Sequence, residues 1–308
     1  MIWMYIDAVF EGGGVKGIAF LGAIKCLEDR GYRFNKVAGT SAGAIVASLI
    51  AAGYSADELK QILFNFDFIK FQDKDSIQAL PLIGGILGLF VSKGIYSGDE
   101  FERWLKYLLE KKGKVKFKDF IRNDEPILKI IASDITKKDI LILPDDLKEY
   151  GIDPLEFDVA KAVRMSMSIP LYFKPVKLKV KEETHYIVDG GILSNFPVWI
   201  FDVDGVPRWP TFGFKLQEPA PKPKKDYISL RDYIMDIVNT MLEENELRYI
   251  KNKDFVRTIL IPTLGVNTTD FSISNSMKQK LYMSGYNSAQ KFLETWDFDE
   301  YISRYRMK

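Results

Sequence analysis

The stretch Met4-Tyr5-Ile6-Asp7-Ala8-Val9-Phe10-Glu11-Gly12-Gly13-Gly14-Val15-Lys16-Gly17 decides the fold. Met4 to Phe10 is a run of β-formers that ends in an acid and three glycines. Beyond it Val15, Ile18, Ala19, Leu21, Gly22, Ala23, Cys26 and Leu27 recur at helical spacing, with Gly31 as the stop signal. That is a strand, a glycine loop and a helix. A second such unit follows at once. Lys36-Val37-Ala38 reads as a short strand, Gly39-Thr40-Ser41-Ala42-Gly43 as a tight turn, and Ala44 to Ala52 as an apolar helix closed by Gly53. Two consecutive units of this kind predict a mostly parallel central sheet with helices on both faces, an α/β chain built as a three-layer α/β/α sandwich.

Working outward, Ser55-Ala56-Asp57-Glu58 carries a helix-start signature, a serine cap with an acid at the third position. Ser97-Gly98-Asp99-Glu100 starts another helix, through Leu109. Ile127 to Ser133 and Ile140 to Leu143 read as strands, Asp158 to Met167 as a helix, and Tyr186 to Val188 as a buried strand running into Asp189-Gly190-Gly191. Thr211 to Leu216 and Val256 to Ile261 read as strands, with helices over 228–250 and 274–295. With no internal repeat and no long linker, the reading is a single α/β domain over 1–308, in which 204–308 packs helices and strands on the same core as 5–203.

The chain has 308 residues, 47% hydrophobic, with 43 Lys plus Arg against 42 Asp plus Glu. That composition excludes disorder and fibrous classes, and its balance gives no reason to expect nucleic acid. The one cysteine, Cys26, forms no intramolecular disulfide, so a reducing cytoplasm is the default. No secretory signal opens the chain, since Asp7 interrupts any apolar h-region. The apolar stretch Ser76 to Ser92 is broken by Pro81, Gly84, Gly85 and Gly88 and is shorter than the roughly 20 residues of a spanning helix. Residues 77–91 are instead read as a flap over an acyl-chain groove, against a buried segment as the alternative.

Gly39-x-Ser41-x-Gly43 between a strand and a helix has the pattern of a nucleophile elbow. The turn is so sharp that a Cβ at either glycine would clash, and the serine projects at the strand's carboxyl end. The loop Gly12-Gly13-Gly14-Val15-Lys16-Gly17 also fits a dinucleotide fingerprint, but that site needs an acid about 20 residues on, and Phe34 to Ala38 holds none. A phosphate-binding P-loop is excluded because no Gly-Lys-Ser/Thr follows. The glycine N–H groups at a helix start are suited to an oxyanion, which an acyl-transfer serine needs beside it. The base is the difficulty. The only histidine, His185, precedes Asp189 by four residues, so about 13 Å of strand separates them at about 3.3 Å per residue, and only one of the two fits beside Ser41. Asp189 opens a Gly-Gly turn at a strand end, whereas His185 looks like a strand-start surface residue.

Together these pieces resemble the patatin-like phospholipase family, whose hallmark is a Ser-Asp dyad without histidine. Gly12 to Gly14, followed by Lys16 and Gly17, looks like its oxyanion loop, Gly39-Thr40-Ser41-Ala42-Gly43 its elbow, and Asp189-Gly190-Gly191 its acid motif. Ser166-Met167-Ser168-Ile169-Pro170 and Asn195-Phe196-Pro197 also fall where the family has a Ser-rich turn and an Asn-x-Pro. Gly265 to Phe271 looks similar to the closing segment of bacterial members. The resemblance implies a cofactor-free, metal-free lipid acyl hydrolase in which Ser41 is the nucleophile, Asp189 the base and Gly12, Gly13 and Gly14 the oxyanion hole. Its substrate would be a phospholipid or lysophospholipid ester. A carboxylate, with an ordinary pKa of about 3.9, is a weaker base than imidazole, which puts more of the burden on the oxyanion loop. Two other classes stay open at this level: a nucleotide-binding regulator using 12–17, and a silent membrane-docking scaffold. The lysines 106, 111, 112, 114, 116 and 118 and the basic loop 219–225 read as solvated lysines at a helix end and a loop, with attraction to anionic lipid as the alternative.

Overall fold

The computed structural model describes residues 4–71, 93–219, 237, 240 and 252–307. The expected flap over 77–91, most of the helix over 228–250 and most of the basic loop lie outside them. In chain order the principal elements are β1 (Met4–Phe10), α1 (Ile18–Asp29), β2 (Tyr32–Thr40), α2 (Ala42–Ala51), α3 (Ala56–Asn65), α4 (Asp99–Lys111), β3 (Leu128–Asp134) and β4 (Asp139–Leu143). There follow α5 (Val159–Ser166), β5 (Val176–Val180), β6 (Glu183–Asp189), β7 (Thr211–Gln217), β8 (Thr258–Pro262), α6 (Asn275–Thr295) and α7 (Phe298–Tyr305).

The chain falls into two compact units, each drawn from separated stretches. Unit 1 takes Met1–Phe66, Phe196–Pro221 and Asn245–Lys308, and unit 2 takes Asp67–Asn195 and Lys222–Glu244. In unit 1 four strands run parallel in the order β8-β7-β1-β2, so the α/β class and the parallel sheet read from the first two strand–turn–helix units are what the structure has. β1 is central and apolar because both its neighbours and its packing faces are covered: Ile6, Ala8, Val9 and Phe10 are fully buried. Phe10 stacks on Phe214 of β7 at 4.4 Å and meets Phe20 of α1 at 5.6 Å.

α1 crosses α6 at glycines on both sides. A Cβ on Gly22 would lie 1.8 Å from the Tyr282 carbonyl oxygen, and one on Gly285 1.8 Å from that of Ala19. The two helices therefore touch backbone to backbone. α3 starts as its sequence predicts, with Ser55 Oγ accepting from Glu58 N and the Glu58 carboxylate accepting from Ser55 N at 2.8 Å.

Unit 2 is built differently. Four of its strands pair antiparallel in the order β4-β3-β6-β5, while the short strands Gly94–Tyr96 and Leu171–Phe173 pair parallel. α4 begins one residue later than its serine suggests, with Gly98 at the cap in the left-handed region (φ 76°). Gly98 also abuts the buried Arg164 guanidinium, where a Cβ would lie 2.3 Å from Nε. The hairpin partner β5 and the terminal helix α7 have no counterpart in the sequence reading. β5 alternates Lys with apolar residues over only five positions, and α7 is a single short amphipathic stretch.

Candidate active site

β2 ends at Thr40 and α2 starts at Ala42, so a single residue, Ser41, makes the whole turn. Its backbone sits at φ 52° and ψ −119°, a region that residues with a Cβ avoid. The flanking glycines are what make this possible. A Cβ on Gly39 would lie 2.2 Å from the Gly43 carbonyl oxygen, and one on Gly43 would lie 2.2 Å from that of Phe10. The clash expected at both positions is therefore real. Ser41 is buried at 6% exposure, and its carbonyl takes the first bonds of α2 from Ala44 N (2.9 Å) and Ile45 N (3.2 Å). Its side chain thus stands at the positive end of an apolar helix, where a developing anion is favoured.

The glycine loop lies against this elbow. The Glu11 carbonyl oxygen is 2.6 Å from where a Gly43 Cβ would be, and a Cβ on Gly17 would be 3.1 Å from that of Ala42. Gly12 is buried, whereas Gly13 and Gly14 keep partial access to solvent. Gly14 needs to be glycine, having φ +56° and no room beside the Thr268 carbonyl oxygen, 2.0 Å from its would-be Cβ. Neighbouring amides are spoken for. Glu11 N donates to Phe214 O (3.1 Å), Val15 N to Thr268 O (3.1 Å) and Lys16 N to Gly13 O (3.2 Å). Lys16 itself is buried with its ammonium on Glu218, whose other oxygen accepts from Thr263 Oγ1 at 2.7 Å. The loop is therefore fixed by residues of the chain's last third: Phe214, Glu218 and Thr268. Nothing in the local pattern of 12–17 names these partners. The segment Gly265 to Phe271 was the one sequence clue.

In unit 2, Asp189 ends β6 and is 1% exposed. Its Oδ1 accepts from Gly191 N at 2.8 Å, and its own N–H donates to Ser168 O at 2.9 Å. The Ser-rich turn is therefore a cradle for this acid. Ser168 Oγ donates to Arg164 O at 2.6 Å, the Arg164 guanidinium bonds Ser168 Oγ and the carbonyls of Ser97 and Lys174, and Ser133 Oγ donates to Gly190 O at 3.3 Å. Gly190 and Gly191 are both buried.

His185 is not the exposed strand-start residue its sequence neighbours suggest. Its Nδ1 lies 2.6 Å from Asp134 Oδ2 and its ring meets the Tyr150 ring edge-on at 5.1 Å, while the Tyr150 hydroxyl donates to the same Asp134 oxygen at 2.8 Å. Asp134 is fully buried. Burial pushes its carboxyl up, but bonds from Lys137 N, Tyr150, His185 and Thr136 N outweigh that and hold it below the usual carboxylate range. Burial and the Asp134 carboxylate push the Tyr150 phenol well up. This histidine is engaged in a structural cluster. Three lysines of the stretch 106–118 have carboxylate partners. Lys106 pairs with Asp158 at 3.0 Å, and Lys116 and Lys118 both pair with Glu156 at 2.8 Å.

Residues 8–202 match the family model for patatin-like phospholipases. The chain belongs to the patatin-like phospholipase family. Among its relatives, an uncharacterized protein of Bacillus subtilis, YqhO, is 39% identical over 96% of this chain and 100% of its own length. A probable lipid hydrolase of Invertebrate iridescent virus 6, 463L, is 27% identical over 63% of this chain and 62% of its own. Among solved structures, VipD from Legionella pneumophila has a TM-score of 0.57 at 19% identity, over 94% of this chain and 67% of its own. ExoU of Pseudomonas aeruginosa, in its complex with SpcU, has a TM-score of 0.56 at 18% identity, over 95% and 52%. These two likenesses are of fold. Patatin-like membership and the lipid-hydrolase relative give the chain its general chemistry, lipid hydrolysis. No described helix is long and apolar enough to cross a membrane.

Proposed function

We propose that this patatin-like chain is a serine acyl hydrolase that cleaves fatty-acyl ester bonds of phospholipids or lysophospholipids through a Ser41–Asp189 dyad, needing no cofactor. Asp189 accepts the proton of Ser41 as Ser41 Oγ attacks the ester carbonyl. The N–H groups of the Gly12 to Gly14 loop stabilise the tetrahedral oxyanion, which collapses to an acyl-enzyme as protonated Asp189 returns its proton to the departing oxygen, releasing the lysophospholipid or glycerophospho alcohol and restoring the carboxylate. Water, deprotonated by the same carboxylate, then releases the fatty acid.

One observation carries the reading: a serine held at φ 52° in a glycine-flanked strand-to-helix turn, packed against a glycine loop. A purely structural turn gains nothing from that strain, since glycine would adopt the same backbone at lower cost. The substrate class rests on family membership, and a peripheral encounter with a membrane surface follows from it.

The test is mass spectrometry of lipid products from phospholipid vesicles, with wild type and Ser41→Ala in parallel, alongside labelling by a fluorophosphonate. Release of fatty acid and labelling at Ser41, both lost in Ser41→Ala, are the expected results. A wild type that neither labels nor releases fatty acid would make the chain a silent scaffold. NAD(P) binding at micromolar affinity would hand the glycine loop to a nucleotide.

A further inference from the structure

Glu11 immediately precedes the glycine loop, is 5% exposed, and touches the elbow through its carbonyl. Its Oε2 accepts from Leu216 N at 2.6 Å, and its Oε1 is bonded by the Lys215 ammonium. Lys215 is 3% exposed, reaches across from β7, and lies 5.2 Å from the centroid of the Phe196 ring. Among the described residues Lys16 is the other charged group that acts on Glu11, and its ammonium bonds Glu218. A buried carboxylate thus sits under the loop that is to receive an oxyanion, and one buried lysine from outside the family-matched region 8–202 compensates it.

We propose that Lys215 is a positioning residue for acyl transfer at Ser41: it neutralises Glu11, so that no like charge opposes the oxyanion, and it ties the start of the glycine loop to β7. The inference rests on the reading of Ser41 and the loop given above. Its logic is electrostatic. Inside a low-dielectric site an uncompensated anion beside a developing one acts in the transition state more than in the ground state, so it lowers kcat rather than raising KM. The Glu11–Lys215 pair has no net charge wherever its proton resides. Burial pushes the Glu11 carboxyl up, and Lys215 is the largest influence pulling it back. Without Lys215 that carboxyl rises further. It is then neutral and harmless at low pH and becomes an opposing anion as pH rises through its new value.

The experiment uses the full chain and a short soluble p-nitrophenyl ester, with Ser41→Ala as control. Lys215→Met, Lys215→Arg and Glu11→Gln/Lys215→Met are compared, each checked by circular dichroism and thermal melting. Lys215→Met is expected to lose about 10- to 100-fold in kcat at pH 8 with KM within about twofold, below the roughly 10²- to 10³-fold cost of removing a direct oxyanion donor. Its deficit should shrink toward pH 5.5, and Lys215→Arg should recover most of the loss. The double variant keeps the bond from Leu216 N through the glutamine carbonyl and removes the charge, so it should be about tenfold faster than Lys215→Met. A folded Lys215→Met with wild-type kcat and pH profile overturns the inference, as does a folded double variant no faster than Lys215→Met. Should Lys215→Met not fold, Lys215→Gln takes its place in the same comparisons. Hydrolysis retained by Ser41→Ala would instead sink the nucleophile assignment, so the two failures are separable.

Discussion

At Ser41 a backbone conformation that glycine adopts freely is imposed on a residue with a Cβ. Such strain is worth about 1–3 kcal/mol, against roughly 0.5–1 kcal/mol of extra unfolded-state entropy for glycine. Ser41→Gly should therefore melt measurably above Ser41→Ala, by about 1 kcal/mol, while both are inactive. A glycine variant no more stable than the alanine variant would mean the turn is not strained. At Asp189, replacement by Asn should cost about 10²- to 10⁴-fold in hydrolysis, the usual value of a general base, with the fold intact. Retention of more than about a tenth of activity would remove Asp189 from the base role. The candidate nucleophile and acid were legible at this scale because turn chemistry is local: glycines two residues either side of a serine, and an acid opening a Gly-Gly turn. Glu11 was visible too, but its partner lies 204 residues away in sequence, beyond any local pattern.

Among the elements, strands and helices with strong period or caps matched their residues closely, as at α3, α6 and β7. The antiparallel pairing in unit 2 was not legible, because β3, β4 and β6 read equally well as parallel or antiparallel strands. The turn at the β3 end shows what sequence neighbours cannot convey. Asp134, His185 and Tyr150 come from three elements and make a buried polar cluster. His185→Ala should leave ester hydrolysis nearly unchanged and lower the melting temperature by several degrees, since it strips a partner from a fully buried carboxylate. Activity loss comparable to Ser41→Ala would return histidine to the mechanism. The linkage has a definite sign. The folded Asp134 carboxyl lies below its unfolded value of about 3.9, so its contribution is fully present above that pH and is lost as pH falls through the folded value. The melting difference between wild type and Asp134→Asn should accordingly be largest near neutrality and shrink below about pH 4.

For the molecule as a whole, the region that carries the family signature is not the region that can stand alone. Unit 1 closes only when β7, β8 and α6 join β1, β2 and α1, and β1 pairs with β7 along Asp7 to Phe10. Without the tail, β1 becomes an exposed edge, α1 loses the helix it touches at Gly22 and Gly285, and the glycine loop loses Thr268 and Glu218. Asp202 adds a tie, paired with Arg257 at 2.7 Å, Arg306 at 2.9 Å and Lys253 at 3.0 Å. A fragment of residues 1–203, although it contains the whole matched region 8–202, is therefore expected to give no cooperative melt and no hydrolysis. The full chain can be probed more gently. Gly285→Ala drives a methyl into the Ala19 carbonyl, an overpacking expected to cost about 1–3 kcal/mol, whereas Gly31→Ala, with open space but φ +84°, should cost only its backbone strain of about 1 kcal/mol. A fragment 1–203 that melts cooperatively and turns over ester would show that the tail is dispensable, and with it the partners it lends to the glycine loop.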